Sequence, residues 1–387
     1  MLPIVPLLAA ALLQTAPEGC RKCEHRGVVD CSKHSAEERQ WEQEVPRCSV
    51  AARCAPCGGS LLVDCPKCEG GPLSAEMEQR RQAAAAWLAQ EDPLETHLQR
   101  PLARAETLHF RLVVDVVALK DGKKKVDGHA FLHWVARDLE RAAALQDGHY
   151  GAVAADRRSP SRMWLWQRRE DHAAVMEKFL FSTSSGDFKM LGRDPVFSVW
   201  TADPQFEDAA PRLHSLAIHN GAHLLLSNLF RELWVGDLGA GWLDEGAGHW
   251  YEDKVIGRST NYCVDETGIP SGGIPDMARS SIRTRLERSK DAVLPGLLRR
   301  QSGELSADEH AYAFSFYDWV SSEHRGALAP LLRGYHSRRS SSELLPEALG
   351  FNVFQLEEAW RAWVTKSYPA TEPKPRRYER APAPDFR

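Results

Sequence analysis

The sequence predicts an α+β protein in three parts: a small cysteine-rich module held by metal, a small α/β lobe, and a mainly helical lobe. Three observations carry this. Eight of the nine cysteines lie between Cys20 and Cys68. Between residues 108 and 202, β-rich runs alternate with stretches of helical periodicity. From about residue 207 onward the pattern is almost entirely helical. A chain of 387 residues with 43% hydrophobic side chains is long enough for two or three domains and a sizeable core. Its net charge of -4, from 49 basic and 53 acidic residues, shows no global basic excess, which argues against nucleic acid as a partner. Twelve tryptophans fit buried helix contacts better than a dedicated ligand site.

Residues 1–16, MLPIVPLLAAALLQTA, resemble a secretory signal peptide. The apolar run from Leu2 to Leu13 is too short to span a bilayer. Small residues follow it, with Ala16 at the cleavage position, although no Lys or Arg precedes it. The expectation is an exported protein, periplasmic or extracellular. No other segment is apolar enough to be transmembrane.

Residues 20–71 form the module. Cys20-x-x-Cys23 is followed after seven residues by Cys31-x-x-His34, and Cys54-x-x-Cys57 after seven residues by Cys65-x-x-Cys68. This is an internal repeat, and the approach to the second pair recurs as Val29-Asp30-Cys31 and Val63-Asp64-Cys65. The C-x-x-C spacing lets two thiolates point at one ion from a tight turn. Four such pairs make two tetrahedral zinc sites, one of four cysteines and one of three cysteines and a histidine. Gly27, Gly58, Gly59, Gly70 and Gly71 suit the positive φ of such turns. In an oxidising compartment the same cysteines can instead form a disulfide framework. The equal spacing of the repeated pairs favours zinc, which would supply the folding energy of so short a segment. Cys48 stands outside the repeat, as a free thiol or an alternative fourth ligand. The stretch resembles the cysteine-rich zinc domain of DnaJ-type co-chaperones, with several motif glycines missing and nothing like a J-domain before it.

Residues 72–105 read as a helical linker, with a helix over 74–92 capped by Ser74. Residues 106–370 form the main domain. LHFRLVVDVV (108–117), SRMWLWQ (161–167) and DPVFSVWTA (194–202) predict strands. Residues 128–145 and 169–181 predict helices. Residues 371–387, rich in Pro and Arg, predict a disordered tail.

Residues 208–231 fit one helix, on which His219 and His223 stand four apart on one face, near enough to grip one ion. Alone the pair is weak, since the chain has 15 histidines. Two further stretches strengthen it. WLDEGAGHWYE (242–252) resembles the W-L-x-E-G-x-A-x-Y segment of gluzincin zinc peptidases. Residues 309–364, closing on Leu349-Gly350 and Leu356-Glu357-Glu358-Ala359-Trp360, resemble the C-terminal part of the peptidase MA-like family. That resemblance implies a gluzincin-like fold over 106–370. It also implies a zinc ion held by His219, His223 and Glu245, with one position open for water. His249, four residues after Glu245, would orient a ligand imidazole or bind the metal itself. The chain would then carry up to two zinc ions in the module and one in the helical lobe.

One residue departs from the family pattern. The motif H-E-x-x-H reads His219-Asn220-Gly221-Ala222-His223 here, so Asn220 stands where the general base would be. A carboxamide cannot take a proton from zinc-bound water at neutral pH, and general base catalysis contributes ~10²–10⁴-fold. Asp244 is turned roughly 100° from Glu245 on a helix, and Glu252 lies two turns along, so neither is expected to substitute. Three readings follow. The first is a zinc-binding protein with a metallopeptidase fold and no efficient peptidase activity, acting in binding or scaffolding with a protein or peptide partner. The second is an active, atypical zinc hydrolase. The third is a structural interaction module with no metal in the helical lobe. Cys263, isolated in NYCVDE, reads as an incidental thiol. The loop at 270–276 has no phosphate-loop lysine. Substrate, partner and oligomeric state are not encoded in any motif.

Overall fold

The computed structural model describes residues 20–45, 47–68, 72–151, 157, 159–184, 186–192, 194–201, 209–230, 234–261, 263 and 277–371. The expected signal peptide, Gly70 and Gly71, the 270–276 loop and nearly all of the expected tail lie outside these residues. The chain divides into two compact units, Met1–Pro101 and Leu102–Arg387. The segment expected as a linker therefore belongs largely to the first unit. Among the described residues no helix is long and apolar enough to cross a membrane.

The first unit runs β1 (Val28–Asp30), α1 (Ala36–Glu44), β2 (Arg47–Cys48), α2 (Ser49–Ala52), β3 (Leu62–Asp64), α3 (Pro72–Leu88) and α4 (Pro93–Leu98). β1 and β3 pair antiparallel with Val29 opposite Val63, the equivalent residues of the two repeats. The flanking bonds repeat this symmetry: Cys31 N–H donates to Leu61 O and Cys65 N–H to Gly27 O, both at 2.9 Å. The two repeats are thus related by a pseudo-twofold axis through the strand pair. Helix α3 starts at Pro72, so Ser74 lies inside the helix and does not cap it. Proline suits a first helical turn because its missing N–H has no partner there anyway. From α3, Arg81 donates to Cys57 O at 3.1 Å and Leu62 O at 3.3 Å, tying the helix to the strand pair.

The second unit opens with β4 (Arg104–Glu106), β5 (Phe110–Asp115), β6 (Ala118–Asp121), β7 (Lys124–Asp127), α5 (Gly128–Tyr150), β8 (Ser161–Trp166), α6 (Arg169–Val175), β9 (Phe188–Met190) and β10 (Val196–Trp200). Its strands pair in the order β4-β5-β8-β10-β9. The three strands expected from sequence, β5, β8 and β10, run parallel at the centre, with antiparallel β4 and β9 beside them. Their near-continuous apolar character fits strands buried in the middle of a sheet. The run expected as one helix over 169–181 ends its α-helical part at Val175 and continues as a π-turn through Leu180. The hairpin β6–β7 turns through Gly122-Lys123, with Gly122 at φ 59.

The helical part comprises α7 (Ala210–Ser227), α8 (Gly241–Ile256), α9 (Arg279–Arg288), α10 (Leu294–Leu297), α11 (Ala307–Glu323), α12 (Leu328–His336), α13 (Ser341–Leu349) and α14 (Val353–Ser367). Its core is aromatic. Trp242, Trp360, Tyr251, Tyr317, Phe314 and Phe316 are fully buried, which fits the tryptophan count. The polar edges are satisfied, with Trp242 donating to Tyr335 Oη at 2.9 Å and Trp360 to Ser315 Oγ at 3.1 Å. Helix α8 is central, packing on α7 on one side and α11 on another. Gly246 permits the second contact, since a Cβ there would stand 2.5 Å from Ala313 O.

Candidate metal sites

The module's eight pair residues fall into two groups, each with ligand atoms within 4.8 Å of one another. One is Cys20, Cys23, Cys65 and Cys68, and the other Cys31, His34, Cys54 and Cys57. Each group takes one pair from each repeat, an exchange compatible with the pseudo-twofold axis. Sulfur separations of 3.8 Å (Cys20–Cys65) and 3.4 Å (Cys23–Cys68) are far longer than a disulfide, and all nine cysteines are free thiols. His34 Nε2 lies 3.4 Å from Cys57 Sγ. The turns use positive φ at Gly27, Gly58 and Gly59, and also at Glu24, His25 and Leu61, their non-glycine equivalents in the other repeat. Both groups are complete without Cys48, which is buried, with burial and then the Glu42 charge pushing its pKa up. These groups are positioned to bind metal ions.

In the second unit, α7 and α8 face each other with their histidines and acids turned inward. His219, His223 and Glu245 are 0–2% exposed, and their ligand atoms group with that of Cys263, all within 4.8 Å of one another. His219 Nε2 and His223 Nε2 are 3.3 Å apart. Cys263 Sγ lies 3.2 Å from the first and 3.5 Å from the second. Glu245 Oε2 lies 3.7 Å from His223 Nε2, is buried, and makes no hydrogen bond among the described residues. A buried carboxylate oxygen without a donor is costly unless a cation serves it. Lys189 Nζ, from β9, donates to Cys263 Sγ at 3.0 Å.

Each imidazole has an acid beside its outer nitrogen, hydrogen-bonded at His223 and within ion-pair distance at His219. His223 Nδ1 is 3.0 Å from Asp244 Oδ1, and Ser302 Oγ donates to Asp244 Oδ2 at 2.8 Å. His219 Nδ1 is 3.2 Å from Glu252 Oε2. Glu252 accepts in turn from Ser215 Oγ at 2.6 Å, Thr260 N–H at 2.7 Å and Asn261 Nδ2 at 2.8 Å. A carboxylate on the outer nitrogen turns the inner nitrogen's lone pair toward the centre, as metal-bound histidines require. Neither acid stands where a replacement base would: Glu252 lies against the outer nitrogen of His219 and Asp244 against that of His223.

His249 stacks near His219, with ring centroids 4.8 Å apart, and its Nε2 is 3.1 Å from His310 Nδ1. Burial, followed by the charge on His219, holds the His249 pKa well below the usual value. His249 groups with His219 and Glu252, beside the His219–His223–Glu245–Cys263 cluster. His310, on α11, lies 3.4 Å from Glu245 Oε2, and no sequence motif had marked it.

Four acidic side chains (Asp244, Glu245, Glu252 and Cys263) face one lysine in this pocket. Burial opposes a proton on His219, but Cys263 and Glu252 outweigh it and raise its pKa to about 9. Burial and then Lys189 oppose a proton on His223, but Asp244, Cys263 and Glu245 raise it to about 10. Burial also opposes the Cys263 thiolate, yet Lys189, His219 and His223 bring its pKa well below the usual value. Burial and then Cys263 raise Glu245 to about 8, so without an ion the acids and imidazoles of the cluster share protons, and a metal ion would compete with them.

Asn220 is buried on the same helix, with Nδ2 donating to Leu216 O at 3.1 Å. Its side chain is engaged with its own helix. His214 lies elsewhere, 3.2 Å from Asp138 Oδ2. Cys263, read from sequence as incidental, proves to be part of the cluster. No protein-family model matches the chain, and no curated protein matches it.

Proposed function

We propose that this protein is an exported zinc-binding protein, with two zinc ions in the cysteine-rich module and one in a gluzincin-like helical lobe, that binds or scaffolds a protein or peptide partner without efficient peptidase activity. The observation that carries the reading is Asn220. It occupies the general-base position, and its carboxamide is bonded to Leu216 O. The order of helices supports the gluzincin likeness: the histidine pair on α7, Glu245 on α8, and a closing α13–α14 with Gly350 ending α13 at φ 78. In this reading His219, His223 and Glu245 hold the lobe's zinc, Asp244 and Glu252 orient the two imidazoles, and the cysteine groups hold the module's zinc. A zinc ion would act as a Lewis acid and lower the pKa of any water bound to it. Among the described residues no free carboxylate stands ready to take that water's proton, since Asp244 and Glu252 are already committed to the histidines.

The test is zinc content and peptide hydrolysis on the full chain. The expected result is three zinc ions per chain, two in a His219→Ala, His223→Ala variant, and no turnover in either. Chelator-sensitive turnover by the unaltered protein would establish the atypical hydrolase instead. Two zinc ions in both proteins would leave the helical lobe a purely structural module.

A further inference from the structure

We infer that Cys263 is the fourth protein ligand of the helical lobe's zinc, closing a His219–His223–Glu245–Cys263 site that has no position for water. The inference rests on the zinc reading of this lobe and goes beyond it. Zinc–ligand lengths of about 2.0–2.3 Å at tetrahedral angles put neighbouring ligand atoms about 3.3–3.6 Å apart. Four of the six separations are close to those edges, at 3.3 Å between the imidazole nitrogens, 3.2 and 3.5 Å from them to the sulfur and 3.7 Å from His223 to the carboxylate, and the other two are within 4.8 Å. Glu245 Oε2 is buried and accepts no hydrogen bond among the described residues, with only the His223 and His310 rings beside it, which fits a cation at the centre of these atoms.

Catalytic zinc sites keep three protein ligands and one open position, whereas structural sites fill all four. A thiolate in the fourth position is a strong, charged ligand that a neutral water does not readily displace. Lys189 offsets part of its charge and fixes the sulfur, 3.0 Å away. The carboxamide at Asn220 and the thiol at Cys263 are then compatible features of one closed site. A site without water has nothing for a general base to deprotonate. The closed ion instead ties α7, α8 and the chain at Cys263 into one unit, consistent with Ser259, Thr260 and Asn261 bonding back to Glu252 on α8.

Cadmium NMR of the full chain, with cadmium as the probe ion, tests this because the shift reports how many thiolates bind each ion. Three resonances are expected: one with four thiolates, one with three, and one with a single thiolate. In Cys263→Ser the last should move into the range of nitrogen and oxygen ligands while the other two stay. A third resonance already in that range, and unmoved by Cys263→Ser, would remove Cys263 from the site and leave the zinc reading intact. Only two resonances in the unaltered chain would overturn the zinc reading of the lobe and this inference with it.

Discussion

The carboxamide nitrogen of Asn220 donates to the carbonyl oxygen of Leu216, 3.1 Å away and one turn back along α7. A glutamate carboxylate at this position cannot donate to that carbonyl, and to act as a base it would have to turn toward the metal and find water there. With Cys263 closing the site, Asn220→Glu alone should yield no peptide hydrolysis. Combined with Cys263→Ala, which opens the fourth position, it should yield chelator-sensitive turnover. The double variant should exceed Cys263→Ala by about 10²–10⁴-fold, the usual contribution of a general base. Turnover by Asn220→Glu alone would mean that water already has access to the ion.

Gly248 makes a second, more local prediction. A Cβ at this position would stand 2.7 Å from His223 Nε2, too close for that ring to stay, and 3.2 Å from His219 Cε1, a tight contact. Gly248→Ala should therefore weaken metal binding in the helical lobe by about 10- to 100-fold, in the manner of other changes that misorient a ligand imidazole. The module's two sites should keep their metal. The measurement is competition with a graded chelator, reading the number of ions lost at each step. Unchanged affinity at all three sites would show that the imidazoles do not converge beside Gly248.

How much of this was legible in the sequence depended on distance along the chain. His219 and His223 follow helix periodicity, so their spacing marked them, whereas Glu245 came only through the resemblance of the 242–252 segment. Cys263 follows Glu245 by a span with no periodic relation to either helix, and only the fold brings its sulfur to His219. The pairing of Glu252 with His219 and of Asp244 with His223 joins two helices, and no spacing within either helix encodes it. His310 reaches Glu245 from α11 through tertiary packing alone. The sequence of the module shows four metal-binding pairs, but their combination across the two repeats depends on the antiparallel pairing of Val29 with Val63. The β6–β7 hairpin turns through Gly122-Lys123, and Gly122 is its one sign among the lysines around it.

The two repeats of the module are not equally tolerant. Gly59 sits at φ 82, and a Cβ there would be 3.1 Å from Ala52 Cα and 3.0 Å from Ala84 Cβ. Its equivalent, His25, already carries a side chain at φ 65 and is exposed. Gly59→Ala should cost about 2 kcal/mol from left-handed strain and crowding together. Because metal binding and folding are coupled in so small a unit, this should appear as an affinity loss of about 30-fold. His25→Ala should change affinity little. Equal effects at both positions would argue against the pseudo-twofold arrangement as the source of the difference.

The last prediction concerns acid. His336 stacks on Phe230 with ring centroids 3.5 Å apart, and burial lowers its pKa from the ordinary 6.5 to about 4. Between those two values the unfolded chain binds a proton on this residue and the folded chain does not. Stability is therefore intact above pH 6.5 and falls as the pH is lowered toward 4, below which the loss from this residue stops growing. Allowing for partial exposure, the loss should be roughly 1–2 kcal/mol. His336→Phe keeps an aromatic ring against Phe230 and removes the titration. Urea unfolding of the metal-loaded protein at several pH values should show a shallower decline from 6.5 to 4 in His336→Phe than in the unaltered chain. Identical slopes would mean that the folded protein protonates His336 freely, by opening the stack or by reaching water around it.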